Sequence, residues 1–88
     1  MKTLYSKKFL KDLASIPKNE RVNIETFIFE TLVKHNSISQ IRKIEKLKGY
    51  QNFYKVRFRD YRLGLKLEGE TLVLERVLHR KDIYRYFP

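Results

Sequence analysis

The sequence predicts an α+β fold: two N-terminal helices packed on a mainly antiparallel, twisted sheet of three to four strands. Three observations lead there. Apolar residues recur at helical spacing as far as His35, strict alternation takes over beyond Gly49, and the strand-like runs follow one another without an intervening helix. A chain of 88 residues has room for one core, so residues 1–88 read as a single domain.

The elements follow in order. The opening KTLY suits a short first strand, and Ser6 stands where an N-cap belongs, ahead of the apolar stripe Phe9, Leu10 and Leu13. Ser15-Ile16-Pro17 punctuates that helix, with Pro17 suited to the first turn of the next. Residues 18–35 are helical in pattern, with Ile24, Phe27, Ile28 and Leu32 on one flank and Val22, Phe29 and Val33 on a second. The second flank is either wedged against other elements or offered to a partner.

Residues 39–48 are hard to type. Ile41, Ile44 and Leu47 recur at helical spacing within a strongly basic run that ends at Gly49. Then Tyr54, Val56 and Phe58 alternate with Lys55, Arg57 and Arg59, and after Asp60 the set Tyr61, Leu63, Leu65 and Leu67 alternates with Arg62, Gly64 and Lys66. The turn Glu68-Gly69-Glu70 leads to TLVLERVLH, a more apolar strand whose facing is ambiguous because each alternate set carries a charge. If the apolar faces of the first two strands both meet the helices, Lys55, Arg57, Arg62 and Lys66 converge on the opposite face, with a shallow depression at Gly64.

Composition narrows the function. Twenty Lys and Arg against ten Asp and Glu leave a net charge of +10, which calls for an anionic partner, nucleic acid first. The surplus is local: Arg42, Lys43, Lys46, Lys48, Lys55, Arg57, Arg59 and Arg62 face only Glu45 and Asp60 across that stretch. There is no cysteine, which excludes disulfides and thiolate metal sites, and no cluster of Asp, Glu and His suggests a metal or other cofactor. Without a signal-like or membrane-length apolar run, a soluble cytoplasmic domain is expected.

The C-terminal HRKDIYRYFP brings His79, Arg80 and Tyr84 within six residues. A histidine is readily poised for proton transfer near neutral pH, and a tyrosine can stack on a base or donate its hydroxyl proton. Together with FLKDLASIPK, KLKGYQNFYKVRFRDYRLGLKLEG and VLERVLHRKDIYRYF, these residues make nearly the whole chain resemble the RelE/ParE superfamily of toxins from type II toxin–antitoxin pairs. The closing His-Arg-Lys-Asp-Ile-Tyr is similar to the RelE side, ribosome-dependent mRNA endonucleases; ParE relatives share the fold and poison DNA gyrase.

The resemblance implies a metal-free enzyme of the ribosomal A site, in which a 2′-hydroxyl of the mRNA attacks the adjacent phosphate and leaves a cyclic phosphate. It implies that Lys55 helps to deprotonate that hydroxyl or holds the phosphate. Arg57 stands where the archetype has a lysine, Arg62 at the scissile phosphate, and Arg80 where charge and the leaving group are stabilised. Tyr84 matches the tyrosine that stacks on the codon, and His79 stands where the archetype has a basic residue, some relatives using a nearby histidine in acid/base work. Arg57 itself is no base, because guanidinium stays charged. Arg42, Lys43, Lys46, Lys48, Arg59, Lys66, Lys81 and Arg85 are the expected RNA- and ribosome-binding residues. The implied partners are an acidic, partly disordered antitoxin, the ribosome and mRNA, with no membrane. A gyrase poison of the ParE type and a non-catalytic basic RNA- or ribosome-binding module are the alternatives.

Overall fold

The computed structural model describes residues Met1 to Pro88. In chain order the elements are β1 (Lys2–Tyr5), α1 (Lys7–Ala14), α2 (Lys18–Thr26), a π-helical turn (Phe27–Thr31), α3 (Leu32–Lys34) and a 3-10 turn (Ile38–Gln40). Then come β2 (Glu45–Lys46), β3 (Phe53–Phe58), β4 (Tyr61–Glu68), β5 (Thr71–His79) and α4 (Ile83–Tyr86). The strands form one sheet in the order β1-β5-β4-β3-β2, antiparallel apart from the parallel β1–β5 pair. The α+β class holds, but the sheet has five strands rather than three to four. The additional strand is β2, a two-residue edge that local pattern signals weakly, whereas the short strand expected at KTLY is present as β1.

Ser6 caps α1 as its position suggests. Its hydroxyl accepts from the Phe9 N–H at 3.0 Å and donates to the Glu75 carbonyl at 2.7 Å, so the cap also ties the helix to β5. Pro17 stands just before α2 rather than inside it, and its carbonyl accepts from the Glu20 and Arg21 N–H groups. From Lys18 the backbone stays helical to Lys34, through a wide turn in which the Leu32 N–H reaches back to the Phe27 carbonyl. Ile24, Phe27, Ile28 and Leu32 are buried against the sheet, where Phe27 meets Phe58 edge-on. Val22, Phe29 and Val33 are 47%, 50% and 56% exposed, so that flank is open rather than wedged.

The ambiguous facing of β5 has a physical cause. Leu74 pairs with Leu65 and Arg76 with Gly64, which leaves Glu75 as an extra residue in the ladder. Leu72 and Leu74 before the bulge, and Val77 after it, can then all face the helices and the core. Residues 39–48, hard to type from the sequence, hold no α-helix: the 3-10 turn ends at Gln40 and β2 takes up Glu45–Lys46. Ile41 joins the core on the helix side, whereas Leu47 is buried on the other side of the sheet, so their helical spacing reflects a chain crossing the edge of the sheet.

That other side, the outer face, has a small core of its own. Leu47, Ile83 and Phe87 are buried there, with Phe53 and Leu78 packed against them. The depression expected at Gly64 is therefore filled. A Cβ on that residue would lie 2.7–2.8 Å from three ring carbons of Phe87, so only glycine lets the ring seat.

Candidate active site on the outer face of the sheet

Strand register decides which basic residues meet. One row across the outer face runs Glu45, Lys55, Gly64, Arg76, and the next runs Arg57, Arg62, Leu78. Lys55, Arg57 and Arg62 therefore share the face, as the alternation predicts, with Lys66 one row beyond on the opposite flank. Two arginines directly opposite one another repel. The fold relieves this in two ways. Arg57 forms a two-pronged pair with Glu45, both contacts 2.9 Å, and the Arg62 Nη1 donates to the carbonyls of Arg59 and Tyr61 at 2.6 and 2.9 Å. The Nε and Nη2 of Arg62 are left without a protein partner.

α4 lies over the same rows. Tyr84, an exposed ring, has its hydroxyl 3.4 Å from the Lys55 Nζ, and that Nζ stands 5.8 Å from the ring centre. Arg80 approaches from the end of β5. Its N–H donates to the Asp60 carbonyl at 2.6 Å, and its guanidinium lies 3.6 Å from the Asp60 carboxylate, an exposed and weak pairing. Arg62 and Arg80 thus both hold the Arg59-Asp60 turn, in which Arg59 takes a left-handed φ of 54°.

His79 is not on this face. It pairs with Tyr61 on the helix side, ring against ring, and its Nδ1 accepts the Lys81 N–H at 3.2 Å. Burial, and after it Glu20 and Asp60, push the neighbouring Tyr61 hydroxyl above its usual range. The remaining basic residues form a collar. Arg42, Lys43, Arg57 and Arg59 border an open groove of about 630 Å³ along α2, with Lys43 over the Phe58 ring at 4.3 Å. Lys46, Lys48 and Lys55 border a smaller hollow beside Gly49. Lys66 pairs with Glu68 at 3.3 Å, and Lys81 and Arg85 are exposed without a carboxylate partner.

Three features of the site were given no role from the sequence. Glu45 and Asp60, the two acids within the basic stretch, each hold a site arginine. Phe87 and Ile83 seat the segment that carries Tyr84. Asp12 and Arg76 form a partly buried two-pronged pair, Nε–Oδ2 2.7 Å and Nη2–Oδ1 3.1 Å, which favours the charged guanidinium still further. Gly64 within an otherwise bulky strand was the visible signal of a close approach.

The sequence model described as "ParE toxin of type II toxin-antitoxin system, parDE" matches residues 4–84. Toxin RelE3 of Methanocaldococcus jannaschii is 44% identical over 89 residues, covering the whole of both chains. The chain therefore belongs to the RelE/ParE family of toxins. Among solved structures, the RelB-RelE antitoxin–toxin complex from Methanococcus jannaschii is similar at 42% identity and a TM-score of 0.79, over 97% of this chain and 99% of that one. The intact Escherichia coli RelBE complex shares the fold at 20% identity and a TM-score of 0.66, over 86% and 92%.

Proposed function

We propose that the protein is a ribosome-dependent mRNA endonuclease that cuts in the A site and so stops translation. The observation that supports this most is that Lys55, Arg57 and Arg62 share one sheet face, with the exposed ring of Tyr84 over Lys55. Cleavage through a 2′-hydroxyl needs a proton acceptor, a proton donor and cations around a phosphorane that carries extra negative charge. With His79 across the sheet and Arg57 permanently charged, Lys55 is the acceptor on this face. The 2′-oxygen attacks phosphorus as its proton passes to Lys55, the bond to the 5′-oxygen breaks, and that oxygen takes a proton from water as the cyclic phosphate forms. Arg62, through its free Nε and Nη2, binds the scissile phosphate, with Arg57 beside it. Arg80 swings from Asp60 to the leaving oxygen, and Tyr84 stacks on a base of the codon. The basic collar of Arg42, Lys43, Lys46, Lys48, Arg59, Lys66, Lys81 and Arg85 meets ribosomal RNA.

An acidic antitoxin is the inhibitor in this reading. The solved M. jannaschii relative is a complex with RelB, and the open flank Val22, Phe29 and Val33 is extended by Tyr5, whose ring meets Phe29 at 6.1 Å. A short acidic reading frame beside this gene should restore growth when co-expressed, and a frame that fails to do so is not the partner.

The match to the ParE sequence model favours a second reading, a DNA gyrase poison. Primer extension after brief induction separates the two. Cuts within codons near the start support the nuclease, with Arg62→Ala or Arg80→Ala slowing cleavage by about 10²–10³-fold. Intact message together with a DNA-damage response overturns it, as does undiminished growth arrest by Arg80→Ala and Tyr84→Ala.

A further inference from the structure

The row Glu45, Lys55, Gly64, Arg76 crosses four strands, and the C-terminal segment crosses above it. Each of three rings lies on one member of that row. Tyr84 is over Lys55, Phe87 is on Gly64, and Tyr86 has its ring centre 5.4 Å from the Arg76 guanidinium carbon. Two of these seats are fixed: Gly64 is backbone, and Arg76 is gripped by Asp12 of α1. The Asp12 carboxylate takes both the Nε and Nη2 of Arg76 and also accepts the Val77 N–H at 3.2 Å, at the point where β5 has lost its β1 neighbour. The two side chains are only 18% and 10% exposed, so this is a rigid pair rather than a surface one. Lys55, by contrast, is a flexible chain with no carboxylate partner, and it cannot itself decide where Tyr84 lies. Tyr84 and Tyr86 are both exposed. What distinguishes them is that Tyr86 rests on a guanidinium gripped at two points, whereas Tyr84 rests on an unpaired lysine.

We propose that Arg76, locked by Asp12, is a positioning residue: Ile83 and Phe87 anchor the segment, and by holding the Tyr86 ring Arg76 fixes its rotation about those anchors and so sets the place of Tyr84 over Lys55, two strand spacings away. The positioning stands on the contacts above; its catalytic consequence rests on the nuclease reading. α1 thereby reaches the active site without touching substrate. The chain of contacts is Asp12 to Arg76, Arg76 to Tyr86, and Tyr86 through two residues of backbone to Tyr84. A planar guanidinium held by a fork fixes a ring above it, whereas a lysine offers only a point charge.

The test reads the free protein first. By NMR, the Lys55 ε-methylene protons report the Tyr84 ring and the Gly64 α-protons report the Phe87 ring. Arg76→Met should remove at least half of the Tyr84 ring-current shift at Lys55 while Gly64 keeps its own, and Arg76→Lys should fall between Met and the parent. Should Arg76→Met fail to fold, Tyr86→Leu leaves the Asp12 pair intact and should give the same loss at Lys55. An unchanged Lys55 shift in the folded variant overturns the proposal. On mRNA-programmed ribosomes, Arg76→Met should lower kcat about tenfold, with KM within about threefold, as expected for a displaced group that does not bind substrate. A parent that cuts and a variant that cuts equally fast overturn the catalytic part. A parent that cuts nothing refutes the nuclease reading alone, and the Lys55 shift still decides the positioning.

Discussion

Replacing Gly64 by alanine should set one methyl group against one ring. The added Cβ lies 2.7–2.8 Å from three carbons of Phe87, whereas carbons rest at about 3.5–4.0 Å, so the ring must retreat by about 1 Å. Phe87 has nowhere free to go, being buried among Leu47, Ile83 and Phe53. Overpacking of this kind costs about 1–3 kcal/mol. The backbone at Gly64 is not left-handed, so alanine also gains up to ~1 kcal/mol from the unfolded chain. The net expectation is a loss of about 1–2 kcal/mol. Phe87→Ala alone should cost about 3 kcal/mol, at the low end for a buried phenylalanine. With the ring removed, Gly64→Ala should become neutral or stabilising by up to ~1 kcal/mol, because the Cβ then meets space. Urea denaturation of the four proteins closes the cycle, with an expected coupling of about 2 kcal/mol. If Gly64→Ala costs the same in both backgrounds to within about 0.5 kcal/mol, Phe87 does not sit on Gly64.

Two further predictions concern charge. Glu45→Gln frees Arg57 from an exposed pair, so stability should change by less than about 1 kcal/mol, while the salt dependence of single-stranded RNA binding should steepen by about 0.7 in log–log slope; an unaltered slope means that Arg57 does not meet the RNA backbone. Tyr61 keeps its proton longer in the folded than in the unfolded state, so its contribution is intact below about pH 10 and is lost as pH rises beyond. Tyr61→Phe should flatten the fall in urea midpoint above about pH 10, and a fall as steep as the parent's would assign that loss to other groups.

Much of this fold was legible because the physics that made it is local. Ser6 is a cap whether or not β5 is known, and the alternation from Tyr54 to Leu65 dictates its own facing. The same alternation put Lys55, Arg57 and Arg62 together. What could not be read depends on distant partners. Glu75 has no signature of a bulge, so the facing of β5 stayed open and Arg76 was not recognised as facing outward beside Gly64. Ile41 and Leu47 kept helical spacing while going to opposite sides of the sheet. His79 looked like a companion of Arg80, yet one step along a strand reverses the face, and its ring turned to Tyr61. The Gly64 gap was visible, but its occupant lies 23 residues later in an aromatic tail that also suited an exposed role.

The parallel pairing of Lys2–Tyr5 with Thr71–Leu74 also sets an order of events. The first strand to be synthesised waits for the last, because β5 alone joins β1 to the remainder of the sheet. A nascent chain that has reached only β4 has a hairpin and two helices but no edge on which its N-terminus can close. Closure over so long a loop is the slow kind of step in folding. The strand that completes it runs directly into Arg80 and Tyr84, so the protein acquires its architecture and its proposed chemistry together, and half-made chains are idle ones.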